Sequence, residues 1–381
     1  MKTASWCRLV AAAAGVLWLG LVGGAGELRA DSGAYPAISG PCDLAFPRDH
    51  GPHPAHRTEW WYYTGNLESD SGRRFGYQLT FFRSRLRPAD SDGSVATASA
   101  WRTPHLFLAH AAVSDPASGR FWYADRLSRA ALGMAGASRA GGRVRLVLRD
   151  WSAELQPRTH RLKAASDDFR LDLTLVPAKA PVAHGDRGYS PKGPAPEQAS
   201  CYYSFTRLET TGRLEVGGER WQVSGLSWMD HEFSSAPLAG GLVGWDWFSL
   251  QLSDGSELML YLLRQAEGGF SPSSGGTFVA PDGSSRRLYA ADVLVTALAT
   301  WKSPASGALY PARWRVQVAP LALDLTVTPT MAAQELQTPE TTRVTYWEGS
   351  VDAVGRIGRK PAQGRGFVEL TGYARPFDAP L

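Results

Sequence analysis

The sequence has few cysteines, no dense basic patch and little charge overall. Three cysteines occur among 381 residues, and their spacing matches no zinc-ligand pattern. Basic residues do not cluster, and the net charge is only +4, so nucleic-acid binding is not expected. The apolar share of 44% and the charged share of 20% are typical of a globular protein, which excludes a disordered or low-complexity chain.

The single long apolar run lies at the N-terminus. Lys2 and Arg8 precede residues 9–25, which contain no acidic residue, and Ala30 offers a small residue for cleavage. This pattern predicts a secretory signal peptide over residues 1–30. The alternative is a membrane anchor, but the run is short and interrupted by glycines. No later run is apolar enough to span a bilayer. We therefore predict a periplasmic or secreted protein whose mature chain has no integral membrane segment.

Two cysteines, Cys42 and Cys201, remain after removal of such a signal. In an oxidising compartment they could pair, because a free exposed thiol is a liability there. Their wide separation in sequence gives no test of the pairing, so a disulfide and two free thiols both stay open.

Alternation of apolar and polar residues dominates the chain, and helical periodicity is nearly absent. Tyr77, Leu79 and Phe81 share one face of a strand, whereas Gln78 and Thr80 share the other. This alternation is typical of half-buried antiparallel strands. Short strands separated by close turns favour barrels or sandwiches. The sequence therefore predicts an all-β protein.

Three sequence patterns occur twice, in the same order, which indicates an internal duplication. The pairs are residues 59–67 and 244–252, residues 171–174 and 323–326, and residues 223–226 and 370–373. We predict two tandem antiparallel β-barrel domains, residues 41–238 and 239–381. The stretch rich in proline and glycine at residues 181–200 is interpreted as a long loop of the first domain, of the kind that covers a site or is mobile.

Titratable side chains concentrate beside aromatic residues in one short segment. Asp230, His231 and Glu232 are consecutive, and Asp246 lies between two tryptophans. In an apolar pocket the pKa of an aspartate rises, which suits it to act as an acid, and His231 could orient it or handle water. Alternatively, Asp230 and Asp246 satisfy backbone donors at strand ends.

Five of the 14 tryptophans lie in the repeated opening strands or just before the domain boundary. They are Trp60, Trp61, Trp228, Trp245 and Trp247. In one interpretation they fill the barrel cores. In the other they line an apolar pocket for a long hydrophobic ligand, which small barrels can enclose.

Two other kinds of site have less support. A metal site would combine His231, Asp230 or Glu232 with His105 or His110, but this set matches no ligand spacing. No metal and no cofactor is therefore predicted. A serine hydrolase is also disfavoured, because a methionine at residue 229 stands where a nucleophile elbow needs its second glycine.

Six segments of the sequence resemble the AttH-like family, which is related to carotenoid 1,2-hydratase (hydroxyneurosporene synthase). They are EWWYYTGNL at 59–67, GYSPKGP at 188–194, YYS at 202–204, WMDHEF at 228–233, GWDW at 244–247 and GFVELTGY at 366–373. The resemblance covers roughly residues 58–373 and implies two consecutive lipocalin-like domains, in agreement with the duplication.

The related hydratases add water to an isolated alkene. That chemistry needs a strong acid and aromatic faces that stabilise a tertiary cation. By resemblance, the acid and its helpers are Asp230, His231 and Asp246. The predicted substrate-binding wall comprises Trp60, Trp61, Tyr62, Tyr203, Trp228, Trp245 and Trp247.

We therefore predict an exported protein that binds a hydrophobic lipid or isoprenoid-type ligand and hydrates it, or transforms it by a related lyase or hydrolase reaction. The alternative is a non-catalytic lipocalin-type carrier, or an accessory protein of an ABC-type export permease, since many exported family members accompany such permeases. Aligning the closing strands of the two halves makes residues 374–377 the counterpart of the acidic motif. We therefore expect the second half to lack its titratable groups, with one site at the junction of the halves.

Overall fold

The computed structural model describes residues 35–88 and 103–377, and the predicted signal peptide lies outside them. Nearly all regular structure in these residues is antiparallel strand. Three short 3-10 helices are Arg48–His50, Ala290–Asp292 and Ala319–Leu321. None of the helices in the described part combines the length and the apolar character needed to cross a membrane.

The first sheet contains thirteen strands. They are β1 (Thr58–Ser69), β2 (Arg74–Arg85), β3 (His105–Asp115), β4 (Arg120–Arg129), β5 (Ala135–Ala140), β6 (Arg143–Leu148), β7 (Trp151–Gln156), β8 (Thr159–Ala165), β9 (Phe169–Pro177), β10 (Val182–Ala183), β11 (Tyr189–Pro191), β12 (Ala199–Val216) and β13 (Glu219–Ser234). Their order is β4-β3-β2-β1-β13-β12-β9-β8-β7-β6-β5, and β10 and β11 pair with β12.

The second sheet contains ten strands. They are β14 (Leu242–Leu252), β15 (Glu257–Gln265), β16 (Gly275–Val279), β17 (Ser285–Tyr289), β18 (Val293–Lys302), β19 (Leu309–Val318), β20 (Leu323–Pro329), β21 (Glu335–Gln337), β22 (Thr345–Ile357) and β23 (Lys360–Leu370). Their order is β17-β16-β15-β14-β23-β22-β20-β19-β18, and β21 pairs with β22.

Both sheets curl, the first into a nearly closed barrel and the second into a half-barrel. The predicted all-β, lipocalin-like class is therefore confirmed. The order β2-β1-β13-β12-β9 in the first sheet recurs as β15-β14-β23-β22-β20 in the second. The strands that carry the repeated sequence patterns thus occupy equivalent places. The chain passes from one sheet to the other between Ser234 and Leu242.

Alternation along the strands gives the first sheet two buried faces. On β1, Trp61 and Tyr63 point into the first barrel and belong to its core. Tyr62, between them, points the other way and packs with Trp228 of β13 and Trp247 of β14. The outer face of β1, β12 and β13 is therefore covered by the second sheet.

A disulfide joins Cys42 to Cys201, with Cα atoms 5.9 Å apart. It ties the segment before β1 to β12, which settles the question left open by the sequence. The stretch 181–200 also lies against β12, through β10 and β11. The pairing of this stretch with β12 places His184 and Lys192 beside the junction of the two sheets.

Candidate functional site

A cavity of about 300 Å³ lies between the two sheets. The first sheet contributes side chains from β1, β2, β12 and β13, and the second from β14, β15, β22 and β23. The volume is at the lower end of the range for ligand pockets. The cavity therefore lies at the junction, as expected, although the junction face and not a barrel interior encloses it.

One row of directly paired residues crosses the first sheet beneath the cavity. The row is Ser204, Asp230, Tyr62, Thr80 and His110, on five neighbouring strands. Such partners project from the same face because side-chain direction alternates in register along paired strands. Asp230 therefore lies in the middle of a polar row on the covered face.

Asp230 is buried and accepts three hydrogen bonds. Tyr202 donates to Oδ2 at 2.6 Å, Trp228 Nε1 donates to Oδ1 at 2.6 Å, and Ser204 also donates to Oδ1. Burial raises the pKa of Asp230 to about 7, although these hydrogen bonds lower it. A carboxyl with such a pKa is protonated in part at neutral pH and can act as an acid.

A buried histidine extends the hydrogen bonds of Asp230 away from the cavity. His184 Nε2 lies 2.6 Å from Ser204 Oγ, and His184 Nδ1 lies 2.8 Å from Thr277 Oγ1 of β16. Burial, with the charge of Lys192, lowers the pKa of His184 to about 3, so the imidazole is neutral. A neutral imidazole between two hydroxyls can pass a proton from either hydroxyl to the other.

A second carboxyl with a raised pKa faces the same cavity from the second sheet. Glu369 of β23 accepts a hydrogen bond from Trp245 Nε1 at 3.0 Å. Burial and the charges of Asp230 and Glu232 raise its pKa to about 7. Two carboxyls with matched pKa values can divide the roles of acid and base.

The register shows that Asp230 and Glu369 are equivalent in the two halves. Asp230 pairs with Tyr62 of β1, and Glu369 pairs with Trp247 of β14. Tyr62 and Trp247 are themselves corresponding residues of the repeated opening strands. The expectation that the second half lacks a titratable counterpart is therefore wrong. The sequence match between the two closing strands was out of register with their structural equivalence. A shift along a strand changes the partner of every residue.

One further carboxyl and one lysine complete the polar lining of the cavity, and a second carboxyl is hydrogen-bonded to the lining residue Tyr62. Glu232 lines the cavity, where Lys192 Nζ lies 3.0 Å from it. Glu348 of β22 accepts a hydrogen bond from Tyr62 at 2.5 Å. Burial and the charge of Glu369 raise the pKa of Glu348 well above the usual value. Lys192 is the sole lysine or arginine among the described lining residues. The carboxyls therefore outnumber the cations, which favours the protonated form of the carboxyls.

Aromatic side chains form the walls of the cavity. Trp60, Tyr62, Trp245 and Trp247 of the predicted set all line it. Trp228 supports the wall from behind, because it packs edge-on against Trp247 at 6.2 Å while holding Asp230.

The structure separates the rest of the predicted set from the cavity. Trp61, Tyr203 and His231 point into the first barrel, since each follows a cavity-facing neighbour by one residue on its strand. His231 stacks on Trp61 at 4.6 Å and contacts the Tyr203 hydroxyl at 3.0 Å. It does not contact Asp230, so the predicted pairing of an acid with an adjacent histidine is not present.

His231 instead belongs to a buried ion-pair network. Glu59 Oε1 lies 2.9 Å from His231 Nε2 and 2.8 Å from His53 Nδ1, and Arg83 Nε donates to Glu59 Oε2 at 2.9 Å. Burial opposes ionisation of Glu59, but the hydrogen bonds from His231 and His53 and the charge of Arg83 lower its pKa overall.

Three of these side chains also form a cluster of potential metal ligands among the described residues. Ligand atoms of His53, Glu59 and His231 lie within 4.8 Å of one another. The Arg83 guanidinium already neutralises Glu59, which disfavours a second cation there. The set considered from the sequence does not form, because His231 lies on the opposite face from Asp230 and Glu232.

Asp246 also lies outside the cavity. On β14 it points away from Trp245 and Trp247, and the Tyr373 hydroxyl donates to both of its oxygens at 3.0 and 3.1 Å. Burial raises its pKa to about 7, while Arg264 and Tyr373 lower it. Asp246 thus shares the raised pKa of Asp230 without access to the cavity.

The sequence reasoning missed Tyr202, Ser204, His184, Lys192 and Glu369. Tyr202 and Ser204 lie within the recognised segment YYS at 202–204, and alternation with Tyr203 indicates their common face. His184 and Lys192 lie in the stretch interpreted as a site-covering loop. Glu369 lies in the last motif, and only the register of β23 with β14 identifies it as the counterpart of Asp230.

The sequence and the fold are both similar to known proteins. The profile of a family described as AttH-like matches residues 37–373. No curated protein matches the chain. A crystal structure described as an AttH protein from Nitrosomonas europaea is 33% identical, with a TM-score of 0.78 over 89% of this chain and 99% of that one.

Two more distant structures share the fold. Kievitone hydratase from Nectria haematococca is 15% identical, with a TM-score of 0.66 over 90% of this chain and 98% of that one. CghA in complex with Sch210972 is 13% identical, with a TM-score of 0.54 over 88% and 95%. At these identities the similarity shows the fold alone. The profile match over residues 37–373 and the close structural relative together show that this chain belongs to the AttH-like family.

Proposed function

We propose that this protein is a hydratase-type enzyme that adds water to an alkene of an isoprenoid or lipid ligand held between the two sheets. One observation carries the proposal. Asp230 and Glu369 face one aromatic-walled cavity from opposite sheets, and burial raises the pKa of each to about 7. Near neutral pH one can hold a proton while the other is ionised, as acid–base catalysis requires.

In the proposed reaction Asp230 is the acid. Its carboxyl O–H bond breaks, and the proton forms a C–H bond at the less substituted alkene carbon. The alkene π electrons supply that bond and leave a tertiary cation on the other carbon. A water oxygen then bonds to the cation, and Glu369 accepts the proton that this water releases. The ligand gains one water, and the two carboxyls exchange their protonation states.

The cavity walls favour the cationic intermediate. Trp60, Tyr202 and Trp247 present aromatic surface to the cavity, and aromatic faces attract cations. Lys192 already uses such faces, because its Nζ lies 4.4 Å from the ring centre of Tyr261 and 5.2 Å from that of Tyr202.

The hydrogen bonds behind Asp230 hold its carboxyl in place. His184 and Ser204 connect Asp230 to Thr277, whose hydroxyl is buried. This chain of hydrogen bonds fixes the carboxyl in one orientation, which general acid catalysis needs.

The proposal is supported by two further observations outside the cavity. Kievitone hydratase, named for hydration of kievitone, has the same fold. The Cys42–Cys201 disulfide and the N-terminal sequence pattern support export to an oxidising compartment. An association with an ABC-type export permease is proposed on the family resemblance alone.

The test is incorporation of labelled water. The purified protein is incubated in H₂¹⁸O with geraniol, geranylgeraniol and lycopene, and products are analysed by mass spectrometry. We expect an ¹⁸O-labelled tertiary alcohol from at least one alkene. We also expect Asp230→Asn to lower its rate by about 10²–10⁴-fold, the usual contribution of a general acid.

Asp246→Asn is the matched control, because Asp246 is equally buried and has the same raised pKa but lies outside the cavity. It should keep turnover close to that of the unmodified protein. Equal loss in both variants would contradict a specific role for Asp230. Tight binding of these ligands without any labelled product would refute the hydratase and favour the carrier.

A further inference from the structure

The charged groups that line the cavity do not balance. Three carboxyl side chains line it, those of Asp230, Glu232 and Glu369, against one ammonium group, that of Lys192. The charges of Asp230 and Glu232 contribute to the raised pKa of Glu369, so the three carboxyls are close enough to repel one another. Retained protons relieve this repulsion, and a bound cation relieves it as well.

Two of these carboxyls present an unpartnered oxygen to the cavity. Glu232 Oε1 accepts from Ser200 and lies 3.0 Å from Lys192 Nζ, and Glu369 Oε2 accepts from Trp245 Nε1 at 3.0 Å. The second oxygens, Glu232 Oε2 and Glu369 Oε1, accept no hydrogen bond from any residue that the structure describes. Neither is one of the five described polar atoms that are both unpartnered and closed off from water. Both oxygens are therefore open to the cavity.

A tryptophan lies beside each of these two carboxyls. Glu232 pairs directly with Trp60 across β13 and β1, and Glu369 pairs directly with Trp247 across β23 and β14. Directly paired residues project from the same face of a sheet and are neighbours there, and all four side chains line the cavity. Each sheet therefore offers a carboxylate oxygen next to an indole ring. This combination binds ammonium ions, through charge and through cation–π attraction.

The side chain of Lys192 shows how an ammonium group is held in this cavity. Its Nζ lies 4.4 Å from the ring centre of Tyr261 and 5.2 Å from that of Tyr202, and it also lies beside Glu232 Oε1. These contacts use two tyrosine rings and one carboxyl oxygen. The rings of Trp60 and Trp247 and the two open oxygens are left for a ligand, and they suit a second cation of the same kind.

We propose that the cavity binds a lipophilic ammonium ion, with its positive nitrogen near the open oxygens of Glu232 and Glu369 and its alkyl chain along the tryptophan wall. A phosphocholine lipid is disfavoured, because its phosphate would enter a site in which carboxyls outnumber cations. The ligand class is therefore a long-chain amine. This inference rests on the proposed function in one respect only, since the bound amine would exclude the alkene and so inhibit its hydration.

The test compares two ligands that differ by one charge. Octyltrimethylammonium and 2,2-dimethyldecane, in which carbon replaces the nitrogen, are measured by displacement of the neutral fluorescent dye N-phenyl-1-naphthylamine from the full-length protein. We define the ammonium preference as the ratio of their affinities, and we expect it to be about tenfold or more. Glu369→Gln should lower this ratio about tenfold, the effect of one lost ionic contact. Asp246→Asn, a buried carboxyl outside the cavity, should leave the ratio unchanged.

A second variant and a second ligand guard against a folding defect in the first variant. Glu232→Gln removes the charge on the other sheet and leaves Lys192 without its carboxylate partner, so the ratio should fall at least as far. Equal affinities of the unmodified protein for the two ligands would overturn the proposal without any variant. Octylphosphocholine that binds as tightly as octyltrimethylammonium would also overturn it, because the added phosphate should then be repelled.

The outcomes separate this inference from the proposed function. Neither ligand of the ratio contains an alkene, so the preference is measured without turnover. A preference that depends on Glu369 in a protein that incorporates no ¹⁸O would refute the hydratase and keep the ammonium site. Labelled product from a protein without any ammonium preference would do the reverse. Where both hold, octyltrimethylammonium should inhibit formation of the labelled product competitively.

Discussion

Replacing Asp230 by asparagine should change how the stability of the protein depends on pH. The substitution keeps the side-chain shape and removes the charge. Asparagine Oδ1 can still accept from Trp228 and Ser204, and its amide nitrogen can donate to Tyr202. We therefore expect the variant to fold, which allows its stability to be compared with that of the unmodified protein.

The magnitude follows from the two pKa values. An unfolded aspartate ionises near pH 3.8, whereas the folded Asp230 keeps its proton to about pH 7. Between these values the folded protein binds more protons than the unfolded chain, so the free energy of unfolding falls as pH rises. The pKa difference of about three units corresponds to about 4 kcal/mol at most. Asp230→Asn removes this loss. The free energy of unfolding of the variant should therefore rise relative to that of the unmodified protein from pH 4 to pH 8.

The assay is chemical denaturation at several pH values, followed by tryptophan fluorescence. Asp115→Asn is a control of opposite sign. Hydrogen bonds from Arg73 and Ser118 lower the pKa of Asp115 despite its burial, so this carboxylate stabilises the fold at neutral pH and less in acid. Its removal should cost most at pH 7. Parallel pH profiles for Asp230→Asn and the unmodified protein would refute the raised pKa and the acid role built on it.

Four further predictions concern the rest of the structure. Cys201→Ser opens a disulfide that spans 159 residues and should lower the free energy of unfolding by about 3–5 kcal/mol, measured by denaturation without reductant. Glu59→Gln removes the carboxylate that pairs with the buried Arg83 and should lower the free energy of unfolding by about 3 kcal/mol. Glu68→Gln, in an exposed ion pair, should lower it by less than about 1 kcal/mol. Equal losses of stability in the two variants would contradict the buried network. His231→Asn should destabilise the protein yet leave dye binding in the cavity unchanged, because its side chain faces the first barrel; weakened dye binding would contradict that placement. Hydration should peak near pH 7, since the acid form is lost above the shared pKa and the base form below it; a flat profile would exclude the pair.

The fold and the position of the site could be predicted from the sequence, because both depend on local patterns. Alternation predicted the strands, and the repeated motifs predicted the equivalent strand orders. The aromatic opening strands and the acidic motif together predicted a site at the junction. The roles within the site could not be predicted in the same way. His184, Ser204 and Glu369 reach the cavity through pairings between distant strands, and the register of such pairings is set by the complete sheet.

Alternation also explains why neighbours in sequence were grouped incorrectly. Asp230 and His231 are consecutive, so a strand must place them on opposite faces, and the structure puts one in the cavity and the other in the barrel. The same rule separates Asp246 from Trp245 and Trp247. The rule was available from the sequence, but a contiguous motif suggests a contiguous site, and that suggestion is wrong inside a strand.

A raised pKa does not identify a catalytic carboxyl unless the side chain also faces a ligand. Asp230, Asp246 and Glu369 all have pKa values raised to about 7 by burial, yet only Asp230 and Glu369 face the cavity. These two are also the residues that the duplication makes equivalent, opposite Tyr62 in one half and Trp247 in the other. Packing the two halves face to face therefore brings one carboxyl from each copy to a shared cavity. The proposed acid and base therefore come one from each half, so the proposed chemistry uses both.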